Sequence, residues 1–140
     1  MSINAHWVAA TDTAACRLSF DRVSLAIDVA ATETMGTRVV PLDFLAAALA
    51  SCTSLALGSA VKRQRLAVQN LRVYASHTQA GADVVITRAI HVVGLLTDEQ
   101  MVDLLKVAEE CMMHQMLIRH HLERQFRIVT VARLENTPDV

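Results

Sequence analysis

Three thiols, Cys16, Cys52 and Cys111, are the reactive side chains of this 140-residue chain. Three is an odd number at wide spacing, which is not a disulfide scaffold; in a reducing compartment such thiols are buried, catalytic or redox-active. Cys111 and His114 stand one helical turn apart, with His120 and His121 close behind. Two potential ligands on one helix without a second pair are a weak metal signal, and no metal is assigned. A thiol that reacts as thiolate also needs a cation. The candidates are Arg17 and Arg22 among the first strands, Arg38 before Pro41, and Arg88 in a segment that is otherwise aliphatic. A guanidinium buried there needs an anionic or strongly accepting partner, unless it reaches the sheet edge and solvent.

The elements that position these residues follow from periodicity. Leu42 to Arg65 carries no charge or proline between Phe44 and Val61, and Leu45, Ala48, Leu49, Cys52, Leu55 and Ala56 recur at three and four. That spacing predicts a buried central helix with the Cys52 thiol turned inward. Alanine, serine, threonine and glycine dilute the run well below a lipid-facing segment, which argues against a membrane span. From this stretch alone, Cys52 reads as a packed core thiol. Lys62 to Arg65 suits the negative end of the helix dipole.

Residues 6 to 30 read as strands: Val23, Leu25, Ile27 and Val29 alternate with polar or small residues, and Cys16, Leu18 and Phe20 share a face, giving Cys16 a structural role. A further strand spans Leu71 to about His77, with a turn at Gln79, Ala80 and Gly81. Val84 to Val93 is β-rich on both faces, as an interior strand would be. Thr97 and Gln100 have the spacing of a capping box. The helix that follows carries Leu104, Leu105, Ala108 and Cys111 on one face and is expected to persist to about Leu122. Phe126 to Leu134 closes the chain as a strand.

The length fits a single domain over 1–140. Hydrophobic residues make up 53% of the chain against 19% charged, an apolar balance that points to a homo-oligomer. A net charge of −1 with no extended basic block argues against nucleic acid as a partner. The first residues lack a basic stretch followed by an apolar one, so a cytoplasmic location is expected.

Two local sequences carry a resemblance. Pro41-Leu-Asp-Phe-Leu-Ala-Ala-Ala-Leu-Ala-Ser-Cys52-Thr resembles the pattern P-x-E-L-L-x-A-A-L-x-S-C-T of the OsmC and Ohr proteins. Ala108-Glu-Glu-Cys111-Met-Met-His114-Gln-Met-Leu117 resembles that family's second signature, A-x-x-C-P-V-H-x-x-L. The resemblance implies an α+β, OsmC-like fold, with antiparallel sheets packed around two long central helices in an intertwined homodimer. It also implies a thiol-dependent peroxidase acting on organic hydroperoxides with an external dithiol reductant and no cofactor. Cys52 would attack the peroxide and Cys111 would resolve the product. An arginine on the N-terminal strands, with Arg17 ranked first, would be held by Asp43.

The residues themselves add conditions. Cys52 lies mid-helix on an apolar stripe, away from the helix N-terminus, so its activating cation has to come from elsewhere in the fold. Met112 and Met113 replace the family's proline and valine, and without proline a straight helix would leave Cys111 misdirected. A competing reading is a dimeric binding protein for a small apolar ligand, with Met112, Met113 and Met116 as an adaptable surface.

Overall fold

The structure, a computed structural model, describes residues 3–8, 15–20, 23–28, 40–119 and 126–137. The chain divides into two compact units, residues 1–45 and 46–140. In the first unit, β1 (Ile3–Val8), β2 (Ala15–Phe20) and β3 (Val23–Asp28) form an antiparallel meander in that order. Its register sets Cys16 between Trp7 and Ile27. The alternation seen in the sequence is thus strand, as expected; only the backbone of these strands is described.

The long helix α1 runs Pro41–Gln64. Proline at the first helical position has no N–H to leave unpaired. The Asp43 carboxylate accepts the Val40 N–H at 2.7 Å, closing the first turn as the third helical residue of a capping box does. At the other end Arg65 adopts φ +52°, and Leu66 N–H reaches the Val61 carbonyl at 3.0 Å. This left-handed exit takes up a carbonyl that the helix leaves unpaired.

In the second unit, β4 (Ala67–Ala80), β5 (Asp83–Leu95) and β6 (Phe126–Asn136) make one sheet with β5 in the middle. Gly81, at φ +64°, turns β4 into β5. The β4 and β5 strands are antiparallel, whereas β6 runs parallel to β5. The sheet is therefore mixed, not antiparallel as expected. A parallel partner needs a crossover connection. Here α2 (Asp98–Glu110) and α3 (Met112–Arg119) supply it.

The core joins Leu57 and Ala60 of α1, Ile90 and Val92 of β5, and Leu104 and Ala108 of α2, with Leu96 between. The buried face of α1 is Ala46, Leu49, Thr53, Leu57 and Ala60, rotated from the expected one. Leu55, assigned inward by the sequence pattern, is 75% exposed. Apolar residues surround this helix almost completely, so spacing alone did not choose a face. Thr53, paired with a buried cation, fixed it.

The helix expected to persist to about Leu122 is instead two helices as far as Arg119, residues 120–122 lying outside those described. Thr97 and Gln100 form the expected capping box, with bonds of 3.1 and 3.0 Å. The helix then stops at Cys111, whose φ −61° and ψ 144° are extended, and α3 begins at the next residue. The break frees carbonyls at the end of α2, and two side chains collect them. Gln115 Nε2 donates to the Glu109 carbonyl at 2.7 Å, and Arg88 Nη1 donates to the Ala108 carbonyl at 3.0 Å. These contacts produce, without proline, the joint that proline would have imposed.

Candidate active site

Among the described residues Arg88 is the largest fully buried side chain, at 0% exposure. It stands on the inward face of β5 between Ile86 and Ile90, where alternation places it. Its Nε and Nη2 donate to Thr130 Oγ1 at 3.2 and 2.8 Å, and its Nη1 to Thr53 Oγ1 at 3.0 Å as well as to Ala108 O. The four hydrogen bonds it donates among the described residues all end on uncharged oxygens. The cation is solvated by protein dipoles, and its charge is left available to whatever lies beside it.

Cys111 lies beside it. Thr53 Oγ1 is 3.7 Å from Cys111 Sγ. Because that oxygen already accepts from Arg88, its own O–H is free to donate to the sulfur. Burial pushes the Arg88 guanidinium below its ordinary value, and attraction to Cys111 and to the charge of Glu109 opposes that shift. Any negative charge formed on Cys111 therefore meets a fixed cation and a hydroxyl.

His114, on the first turn of α3, is buried with Nδ1 unpartnered. Burial and repulsion from Arg88 push its imidazole below the ordinary range, with Glu109 pulling the other way. Its neutral form is favoured. Among the described residues no group of three or more His, Cys, Asp or Glu is placed to hold a metal ion; His120 and His121 lie outside them.

Cys52 is the residue before Thr53 and is half-buried, whereas Cys111 is buried; both are free thiols. The structure thus places Cys111 against the Thr53 hydroxyl that Arg88 bonds, while Cys52 is the chain neighbour of Thr53 on α1, where successive side chains face different directions. Of the four arginine candidates, Arg88 is the one seen beside a cysteine. Arg17 is on β2, and its side chain, like those of Arg22 and Arg38, lies outside the described residues. Asp43 stands at the start of α1, its carboxylate on Val40 N–H.

The sequence reading set Thr53, with Ser51 and Ser54, among the hydroxyls around Cys52 but did not pair it with Arg88, and it missed Thr130 and the helix joint as parts of the site. A signal for both threonines existed. Each is the polar residue on an otherwise apolar face, Ala46-Leu49-Thr53-Leu57-Ala60 on α1 and Ile128-Thr130-Ala132-Leu134 on β6, and the register sets Thr130 directly opposite Arg88.

The profile of the family described as OsmC-like protein matches residues 34–125, about two thirds of the chain. The chain belongs to the OsmC-like protein family. Solved structures agree with this OsmC-like assignment at the level of fold. An OsmC-like protein from Mycoplasma pneumoniae is 14% identical with a TM-score of 0.71, over 96% of this chain and 97% of that one. An organic hydroperoxide resistance protein from Elizabethkingia anophelis is 15% identical with a TM-score of 0.67, over 95% and 97%. A third, an organic hydroperoxide resistance protein OsmC from Legionella pneumophila, is 15% identical with a TM-score of 0.63, over 93% and 96%. No curated protein matches the OsmC-like chain by sequence.

Proposed function

We propose that this OsmC-like chain is a thiol-dependent peroxidase that reduces organic hydroperoxides through Cys52 and Cys111. The observation that carries the reading is the buried Arg88 guanidinium bonded to the Thr53 hydroxyl, which also lies 3.7 Å from Cys111 Sγ, with Cys52 the residue before Thr53 on α1. A cation near a thiol favours the thiolate, the species that cysteine redox chemistry uses. In the proposed cycle the Cys52 thiolate attacks the peroxide O–O bond and takes OH as a sulfenic acid. The alkoxide leaves, gains a proton and departs as alcohol. The Cys111 thiol condenses with the sulfenic acid, water is released and a Cys52–Cys111 disulfide forms. An external dithiol restores both thiols, and no cofactor enters the scheme.

The protein is proposed to work as a homodimer. Ala47, Ser51, Leu55 and Ser59 form an exposed strip on α1, small apart from the exposed Leu55, a surface suited to close packing against a second helix. The decisive experiment is consumption of cumene hydroperoxide by the purified protein with dithiothreitol present. Turnover that is lost in Cys52→Ser supports the reading; no turnover, or turnover that survives that substitution, overturns it.

A second reading has its own support in Met112 and Met116, exposed at 68% and 49% beside Cys111. Flexible thioethers suit a surface that binds varied apolar ligands. A dimeric protein that binds such a ligand without reducing peroxides would show ligand affinity untouched by Cys52→Ser.

A further inference from the structure

The two thiols differ in a way that bears on how their disulfide would be reopened. Cys52 is half-buried, while Cys111 is buried and lies 3.7 Å from the Thr53 hydroxyl, which accepts a hydrogen bond from Arg88. Thiol–disulfide exchange is fastest when the attacked sulfur is accessible and the departing sulfur is stabilised as thiolate. Both criteria select the same bond polarity. We propose that Arg88 and Thr53 fix the direction of disulfide reduction: the reductant attacks Cys52 Sγ, and Cys111 departs as a thiolate into the guanidinium and hydroxyl. This rests on the two-thiol reading above, since it presupposes a Cys52–Cys111 disulfide.

The step balances without any further reactant. One thiolate of the dithiol forms a bond to Cys52 Sγ, the Cys52–Cys111 bond breaks, and the electron pair leaves on Cys111. The second thiolate of the dithiol then attacks the reductant sulfur of the mixed disulfide. Cys52 is released as thiolate, and the dithiol ends as a cyclic disulfide, two electrons having passed to the protein. Arg88 and Thr53 act here as positioning residues for the departing charge. Thr130 holds the guanidinium from the other side with bonds from Nε and Nη2, so the cation cannot follow solvent away from the sulfur.

The experiment starts from full-length protein oxidised with diamide, which makes the disulfide without any hydroperoxide. A monothiol, 2-mercaptoethanol, is added in limiting amount, liberated thiols are trapped at once with N-ethylmaleimide, and peptide mass spectrometry locates the adduct. The expected result is mercaptoethanol on Cys52 and maleimide on Cys111, in about tenfold excess over the reverse. Adduct on Cys111, an even split, or failure of diamide to join the two cysteines overturns the proposal.

Opening of the oxidised protein by dithiothreitol is then compared across Thr53→Val, Arg88→Lys and Arg88→Met. Rates are expected to fall by about tenfold in Thr53→Val and further in Arg88→Met, with Arg88→Lys partly restored. Wild-type rates in folded Thr53→Val and Arg88→Met overturn the proposal. Directional opening of the diamide disulfide in a protein that consumes no hydroperoxide would support it while removing the peroxidase reading, so the two fail separately.

Discussion

A guanidinium with no carboxylate among the partners seen here is an expensive thing to bury, and Arg88 is tolerated because its neighbours are shaped around it. Thr130 receives two of its bonds. Thr130→Val should therefore leave two N–H groups of a buried cation unpaired, at a cost of about 1–3 kcal/mol in urea unfolding, with the slope unchanged. The same pocket sets a pH dependence. His114 is neutral in the fold because burial and Arg88 disfavour its protonation, against a weaker pull from Glu109. The unfolded chain takes up that proton below about pH 6.5 and the folded chain resists it. Stability from this residue is complete above that pH and falls as the pH drops through it. Thermal melts from pH 7.5 to 5 should show a falling midpoint in the wild type and a flatter profile in His114→Gln. At this scale the sequence was half legible: an arginine in an aliphatic strand announced that it needed acceptors, but the acceptors lay 20, 35 and 42 residues away in sequence, and only the fold brings them to it.

At the level of elements, the joint between α2 and α3 carries the most information. Cys111 holds φ −61° and ψ 144°, a conformation that the residue before a proline adopts readily. Met112 opens α3, the position where proline is tolerated best. Met112→Pro is therefore expected to leave the fold intact and to hold or raise the melting temperature, by up to about 1 kcal/mol through the unfolded chain. A large loss in calorimetry would show that the two helices are joined differently. The joint was not legible because its cause is not local. Composition from Asp98 to Arg119 favours one helix throughout, and Arg88 and Gln115 catch the carbonyls that the break exposes. The capping box at Thr97 and Gln100, by contrast, was plain from spacing, because both partners lie within four residues.

For the whole molecule, the order of strands and helices could be read from periodicity, while the partner choice of the last strand could not. Alternation from Phe126 onward identifies a strand but carries no direction, and the parallel seat beside β5 follows from the crossover through α2 and α3. The apolar excess of the composition finds an outlet in the exposed Leu55 on α1. If that strip packs two copies together, Leu55→Glu should shift the mass seen by light scattering from dimer to monomer, because an unpaired carboxylate is costly to desolvate in such a contact. The parallel seat of β6 has one more outcome. The β4–β5 hairpin is local and can close early, but Thr130 arrives only with β6, after α2 and α3. During synthesis Arg88 must wait for it, so a nascent chain halted before Phe126 holds an incompletely paired charge where its core should close. The β6 strand, made after the hairpin it joins, thus completes both the packing of the core and the surroundings of Arg88.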